Sequence, residues 1–154
     1  MTTPSAQTES SIAVIVPTYN ERENIESLVT QLLDLPLQLR VIVVDDNSPD
    51  GTGAIADELA AEHQDRVEVI HRSGKLGLGT AYVAGFRRAL DGGADLICTM
   101  DADFSHQPRY VPDLTAKIGE QYDLVIGSRY VRGGGTNGCT LRRRLLSWGA
   151  NAFA

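Results

Sequence analysis

Cysteine is scarce: Cys98 and Cys139 are the only two in 154 residues. They lie far apart and in no C-x-x-C or Cys/His spacing, which indicates neither a zinc site nor a disulfide framework. Such usage fits a reducing, cytoplasmic setting. Long apolar runs are missing too. No stretch approaches the roughly 18 apolar residues that mark a membrane-spanning helix, and the polar opening from Met1 to Ser11 lacks the cationic and apolar regions of a signal peptide. Residues 1–11 read as a flexible tail. Positive charge is in deficit: 14 Lys and Arg against 20 Asp and Glu leave a net charge of −6, which argues against a general nucleic-acid binder. An anionic substrate must then be met by local cations rather than by the overall field, and a bound divalent metal would serve.

What is present is ordinary globular material, with 42% hydrophobic residues in one domain's length. Short β-branched runs recur at Ile12–Thr18, Arg40–Asp46, Val67–Arg72, Leu96–Asp101 and Leu124–Ser128. Each is almost continuously apolar, as strands buried on both faces must be. Their starts are about 28 residues apart, enough for a strand, a helix and two short loops, so the class is α/β with a largely parallel sheet. The first helix is signed by Asn20 as cap, Glu23 as its capping-box partner and an apolar face of Ile25, Leu28, Val29, Leu32 and Leu33, with Pro36 at its end. Further helices are expected over Thr52–His63 and Thr80–Leu90, the latter stopped by Gly92-Gly93, and a short one near Pro112–Ile118. Beyond Tyr130 the pattern changes to a Gly133-Gly134-Gly135 loop. Arg142, Arg143 and Arg144 then stand beside Leu145, Leu146, Trp148 and Phe153. That last segment suits either anionic lipid headgroups or packing against a further part of the domain. The chain ends without a closing element, and the expectation is that it is a piece of a longer protein.

In parallel α/β sheets ligands bind beyond the carboxyl ends of the strands, so the residues after each run carry the chemistry. Asp101-Ala102-Asp103 places carboxylates at i and i+2 of a strand end, where they can face the same side. Two hard oxygen ligands suit Mg²⁺ or Mn²⁺ holding a diphosphate. Asp-x-Asp also starts many solvated loops; its place directly after a buried run favours the metal. Asp46 follows a run that is apolar up to Val44 and suits a base or ribose, with Ser48 or Asp50 left to cap the next helix. Ser73-Gly74-Lys75-Leu76-Gly77-Leu78-Gly79-Thr80 matches neither the P-loop nor the G-x-G-x-x-G pattern. It reads as a phosphate cradle or simply as a tight turn, with Lys75 in reach of a phosphate. Arg129 suits a phosphate or hydroxyl cluster, or is a surface arginine. His106 lies near the metal carboxylates, or is merely solvated.

Four segments together resemble a known group. They are Pro17-Thr18-Tyr19-Asn20-Glu21-Arg22-Glu23-Asn24, Asp45-Asp46-Asn47-Ser48-Pro49-Asp50-Gly51-Thr52, Lys75-Leu76-Gly77-Leu78-Gly79-Thr80-Ala81-Tyr82 and Met100-Asp101-Ala102-Asp103-Phe104-Ser105-His106. In this order and spacing they are similar to the dolichol-phosphate mannosyltransferases (polyprenol monophosphomannose synthases) among the family 2 glycosyltransferases. The resemblance implies a GT-A fold, Rossmann-like, with a mostly parallel central sheet flanked by helices, over residues 12–154 with its C-terminal part missing. It implies that Pro17, Tyr19, Glu21, Val44 and Asp46 line the nucleotide pocket of GDP-mannose and that Asp101, Ala102 and Asp103 meet the diphosphate and the metal. Ser105 takes the position of a further metal ligand. Arg129 matches a donor-binding arginine and joins Asp101 and Asp103 as the catalytic set.

The implied reaction is inverting, metal-dependent transfer of mannose to a polyprenyl phosphate. Its place is the cytoplasmic face of a membrane, with peripheral attachment or a separate anchoring domain or subunit. A phosphate monoester is already anionic and needs little help from a general base, which agrees with finding no Ser/His pair. With the rest of the acceptor side missing, the 154-residue chain is expected to bind donor and metal but to transfer poorly. Two other readings stand beside this one: transfer of glucose or another hexose to a lipid phosphate, and a non-catalytic nucleotide-sugar-binding fragment. A dinucleotide oxidoreductase is disfavoured, because Pro17-Thr18-Tyr19-Asn20 stands where G-x-G-x-x-G would follow the first strand.

Overall fold

Strand β1 (Ile12–Thr18) occupies the middle of a parallel sheet, where β-branched side chains are sealed on both faces. It pairs with β2 (Leu39–Asp45) along its whole length and with β4 (Leu96–Thr99) over Ile12 to Ile15, while β3 (Val67–His71) pairs with β2. The order is β3-β2-β1-β4. The computed structural model describes residues 10–118, 122–128 and 131.

Period-2 alternation along β1 divides the core in two. Ile12, Val14 and Val16 face α1 (Ile25–Leu33) and α2 (Thr52–Glu62), joined by Val41, Val43, Met100 and Val111. Ala13 and Ile15 face α3 (Leu78–Asp91) with Ile42, Val44, Ala81 and Ala89. The α3 contact is unusually close because its inner stripe is small: a Cβ at Gly85 would run into the Ile15 side chain. A short 3₁₀ turn, Pro108–Tyr110, leads into α4 (Val111–Thr115).

Several expectations shift. The cap of α1 is Asn24, not Asn20, which adopts a left-handed φ of 61° before the helix. Glu21 organises this start: its carbonyl accepts the Asn24 and Ile25 amides and its carboxylate accepts the Asn24 side chain at 2.8 Å. The Asn20/Glu23 capping box therefore does not form. Helix α3 begins at Leu78, two residues before the expected Thr80, because Gly77 at φ 99° turns the chain into it. Ser11, assigned to the tail, is already tied to the fold: its amide donates to Asp95 Oδ2 at 2.8 Å, and its carbonyl accepts the Asp95 and Leu96 amides.

The expected fifth strand, Leu124–Ser128, is not a strand. A strand needs a neighbour to take its N–H and C=O groups; among the described residues β4 pairs only with β1, and Leu124 and Ile126 stand 74% and 75% exposed. Arg129 and the basic, apolar segment Leu141–Ala154 lie outside the described residues.

Candidate active site at the carboxyl edge of the sheet

The loops after β1 and β2 are locked to each other. Buried Asp45 closes β2 and accepts the Thr18 hydroxyl at 3.0 Å, the Ser48 hydroxyl at 2.5 Å and the Ser48 amide at 3.0 Å. Ser48 Oγ accepts the Asn20 amide in turn, at 3.1 Å. One step further, the Glu21 amide donates to Thr52 Oγ1 (2.9 Å) and the Arg22 amide to Asp50 Oδ2 (3.1 Å). The N-cap of α2 is Gly51, at φ 93° and without a side-chain cap bond, so neither Ser48 nor Asp50 is the cap; Asp50, one residue earlier, receives the Thr52 amide at 3.0 Å. These bonds fix the path of Pro17-Thr18-Tyr19-Asn20-Glu21. Val44, by contrast, is sealed in the α3 side of the core, so its side chain is not part of any open surface.

Asp46 comes next, with its amide donating to the Thr18 carbonyl at 3.0 Å. Its carboxylate lies 2.9 Å from Arg72 Nη1, an ion pair without hydrogen-bond alignment, in which each side chain is only 9% exposed. Arg72 reaches on into the glycine-rich segment. It donates to Thr80 Oγ1 at 2.5 Å and to the Gly77 carbonyl at 3.4 Å. In the same segment Lys75 Nζ sits 4.4 Å above the Tyr19 ring, a cation–π contact that joins the β1 and β3 loops. The glycine-rich segment is thus a turn held by Arg72 with α3 starting from it.

One residue, Met100, separates Asp101 from the end of β4: the Met100 amide donates to the Ile15 carbonyl at 3.0 Å, and the chain then leaves the sheet. Ala102 is buried while Asp101 and Asp103 on either side reach solvent, the alternation expected of i and i+2 at a strand end. Asp101 Oδ1 accepts the Tyr82 hydroxyl at 3.1 Å, and the Asp101 amide donates to His106 Nδ1 at 3.2 Å. Burial, and then the Asp101 charge, push the Tyr82 phenol up to about 12, so it is a donor at neutral pH. Phe104 takes a left-handed φ of 58° and folds the turn back, which lets the Ser105 amide donate to Asp103 Oδ1 at 2.9 Å. The Ser105 hydroxyl and amide hold the Asp103 carboxyl below the ordinary carboxylate range. Two carboxylates and a hydroxyl on one tight turn are a donor set that a hard divalent cation accepts. No third His, Cys, Asp or Glu joins them among the described residues, so the rest of a six-oxygen shell would fall to a ligand and water.

The structure therefore brings Pro17, near the end of β1, together with Tyr19, Glu21, Asp46, Asp101, Asp103 and Ser105, on the loops that follow β1, β2 and β4, to one edge of the sheet. Reading the residues in order missed Arg72 and Tyr82. Tyr82 carried a weak signal, since it closes a glycine-rich segment at a helix start; Arg72 carried none beyond its place at a strand end.

The sequence profile of glycosyl transferase family 2 matches residues 13–153. The chain is 49% identical over 141 residues to a polyprenol monophosphomannose synthase of Mycolicibacterium smegmatis, covering 92% of this chain and 53% of that protein. It is 46% identical over 142 residues to an undecaprenyl-phosphate mannosyltransferase of Micrococcus luteus, covering 92% and 58%. Against a dolichol-phosphate mannosyltransferase of Pyrococcus furiosus the identity is 42%, covering 90% and 39%. The chain spans about half the length of the first two relatives. Among solved structures, a mannosyltransferase from Pyrobaculum calidifontis in complex with GDP-Man and Mn²⁺ superposes with a TM-score of 0.57 at 29% identity, over 63% of this chain and 28% of that one.

Proposed function

The chain belongs to glycosyl transferase family 2, and from that premise we propose that it is the donor-binding part of a transferase that moves mannose from GDP-mannose to a polyprenyl phosphate. The observation that carries this reading is the meeting of the β1 and β2 loops with Asp101-Ala102-Asp103 at one sheet edge. Relatives named for mannose transfer to polyprenyl phosphates, and a structural neighbour holding GDP-Man and Mn²⁺, support the choice of sugar, donor and acceptor.

In this reading Pro17, Tyr19 and Glu21 line the nucleoside side, and Asp46 accepts N–H or O–H groups of the base or ribose. Val44 and Ala102, both buried, contribute through backbone atoms. Asp101, Asp103 and Ser105 would hold Mg²⁺ or Mn²⁺. Bound there, the cation supplies charge neutralisation for the departing diphosphate. Arg129, outside the described residues, is assigned to the donor on its motif alone. An oxygen of the acceptor phosphate attacks the anomeric carbon as its bond to the GDP oxygen breaks, with inversion. The nucleophile is already anionic, so positioning and leaving-group stabilisation carry most of the acceleration. A polyprenyl acceptor would put the reaction at a membrane surface, in this reading the cytoplasmic one; no described helix is long and apolar enough to cross a membrane.

The test is transfer of radiolabelled mannose from GDP-mannose to polyprenyl phosphate by the full-length protein. Lipid-linked label that falls about 10²- to 10³-fold in Asp103→Asn supports the assignment. Label from UDP-glucose but not from GDP-mannose discards mannose and keeps the family.

A further inference from the structure

Tyr82 closes the Lys75–Tyr82 segment, yet nothing in the proposed reaction uses it. We propose that Tyr82 is a positioning residue that orients the Asp101 carboxylate toward the divalent cation, an inference that rests on the metal-dependent donor site proposed above.

The geometry builds this contact with some care. Tyr82 lies in the second turn of α3, and its hydroxyl donates to Asp101 Oδ1 at 3.1 Å, across the boundary between the helix and the loop after β4. The ring is stacked on Phe86, one turn along the same helix, with centroids 6.2 Å apart and an interplanar angle of 20°. The depth of α3 is set independently. Gly85 rests against Ile15 with no room for a Cβ, and Ala81 and Ala89 are buried beside it, so the helix cannot ride higher on the sheet without losing its whole inner stripe. Helix depth and ring stacking together fix where the phenol oxygen stands.

A second constraint acts on the carboxylate itself. The Asp101 amide is held by His106 Nδ1 at 3.2 Å, so the backbone at this residue is pinned while Tyr82 takes one of the two side-chain oxygens. Rotation about Cβ–Cγ is thereby restricted, and the other oxygen, Oδ2, which lies 3.8 Å from His106 Nδ1 and so beyond hydrogen-bond reach, is the one open to a cation. A carboxylate ligand that is itself hydrogen-bonded in this way needs no reordering when the metal arrives, and loss of such a partner commonly weakens metal affinity 10- to 100-fold. The glycine-rich segment acquires a purpose in this arrangement: Gly77 and Thr80, both held by Arg72, set the start of α3 and hence the register of Tyr82.

The experiment is electron paramagnetic resonance of free Mn²⁺ titrated against this chain in the presence of GDP, comparing wild type with Tyr82→Phe, which keeps the ring and its stacking. The expected result is a Mn²⁺ affinity reduced about tenfold or more in Y82F, with a melting temperature within a few degrees of wild type. In the full-length protein the Mn²⁺ concentration for half-maximal activity should rise by a similar factor, while kcat recovers at saturating Mn²⁺. A merely structural role would lower the melting temperature and kcat without moving the metal dependence. Wild type that binds Mn²⁺ with Y82F binding equally well overturns the role of Tyr82 and leaves the donor site standing. Wild type that binds no Mn²⁺ overturns both.

Discussion

Arg72 and Asp46 meet at 2.9 Å with both side chains only 9% exposed, and the same guanidinium holds Thr80 at the start of α3. One arginine thus connects the end of β2, where the nucleoside is expected, to the segment that feeds α3.

A buried pair is costly to break on one side only, since it leaves an uncompensated charge. Arg72→Met is expected to destabilise the fold by about 3–5 kcal/mol in urea unfolding. Adding Asp46→Asn should restore part of that loss; a double variant no more stable than the single one would mean the pair is not coupled.

Asp45 is the knot of the β1 and β2 loops, accepting from Thr18 and twice from Ser48. Asp45→Ala strips the buried Thr18 hydroxyl and the half-buried Ser48 hydroxyl and amide of their shared acceptor and should cost about 1–3 kcal/mol by chemical denaturation. Donor affinity should fall along with it, because the path of Tyr19 and Glu21 depends on this junction.

Gly85→Ala places a methyl against Ile15, where no space exists. An overpacked contact of this kind should cost about 1–3 kcal/mol, read as a lower melting temperature. Ile15→Ala in the same chain removes the Cγ2 atom that the new Cβ would meet and should make the Gly85 substitution less costly than it is in wild type.

Asp103 is held below its ordinary value of 3.8 by the Ser105 hydroxyl and amide. A carboxyl with a depressed folded-state pKa stabilises the fold above its unfolded value, and that contribution is lost as pH falls through the folded one. The stability difference between wild type and Asp103→Ala should be constant from neutral pH down to the ordinary carboxyl value and shrink only below it. Unfolding midpoints measured at neutral pH and near pH 3 check the sign.

The four strands that formed were readable because parallel strands sealed on both faces leave continuous apolar runs, and the turn Asp101-Ala102-Asp103 was readable because it follows one of them. Leu124–Ser128 has the same apolar character, yet pairing depends on a neighbouring edge, which no run of residues reveals about itself. The α1 cap moved from Asn20 to Asn24 because the β1 loop is shaped by Ser48, Asp50 and Thr52 from another loop, a tertiary constraint that local capping rules do not contain. The contacts of Arg72 and Tyr82 were hidden for the same reason. Their partners, Asp46 and Asp101, are brought to them only by the order of the strands.

A metal-dependent GDP-mannose site at this sheet edge can be checked by binding alone. Calorimetric titration of GDP-mannose into the chain with Mn²⁺, beside metal-free buffer and Asp103→Ala, tests it most directly. Binding is expected to require Mn²⁺ and to disappear in the variant. Binding that is indifferent to the metal and to Asp103 would contradict it.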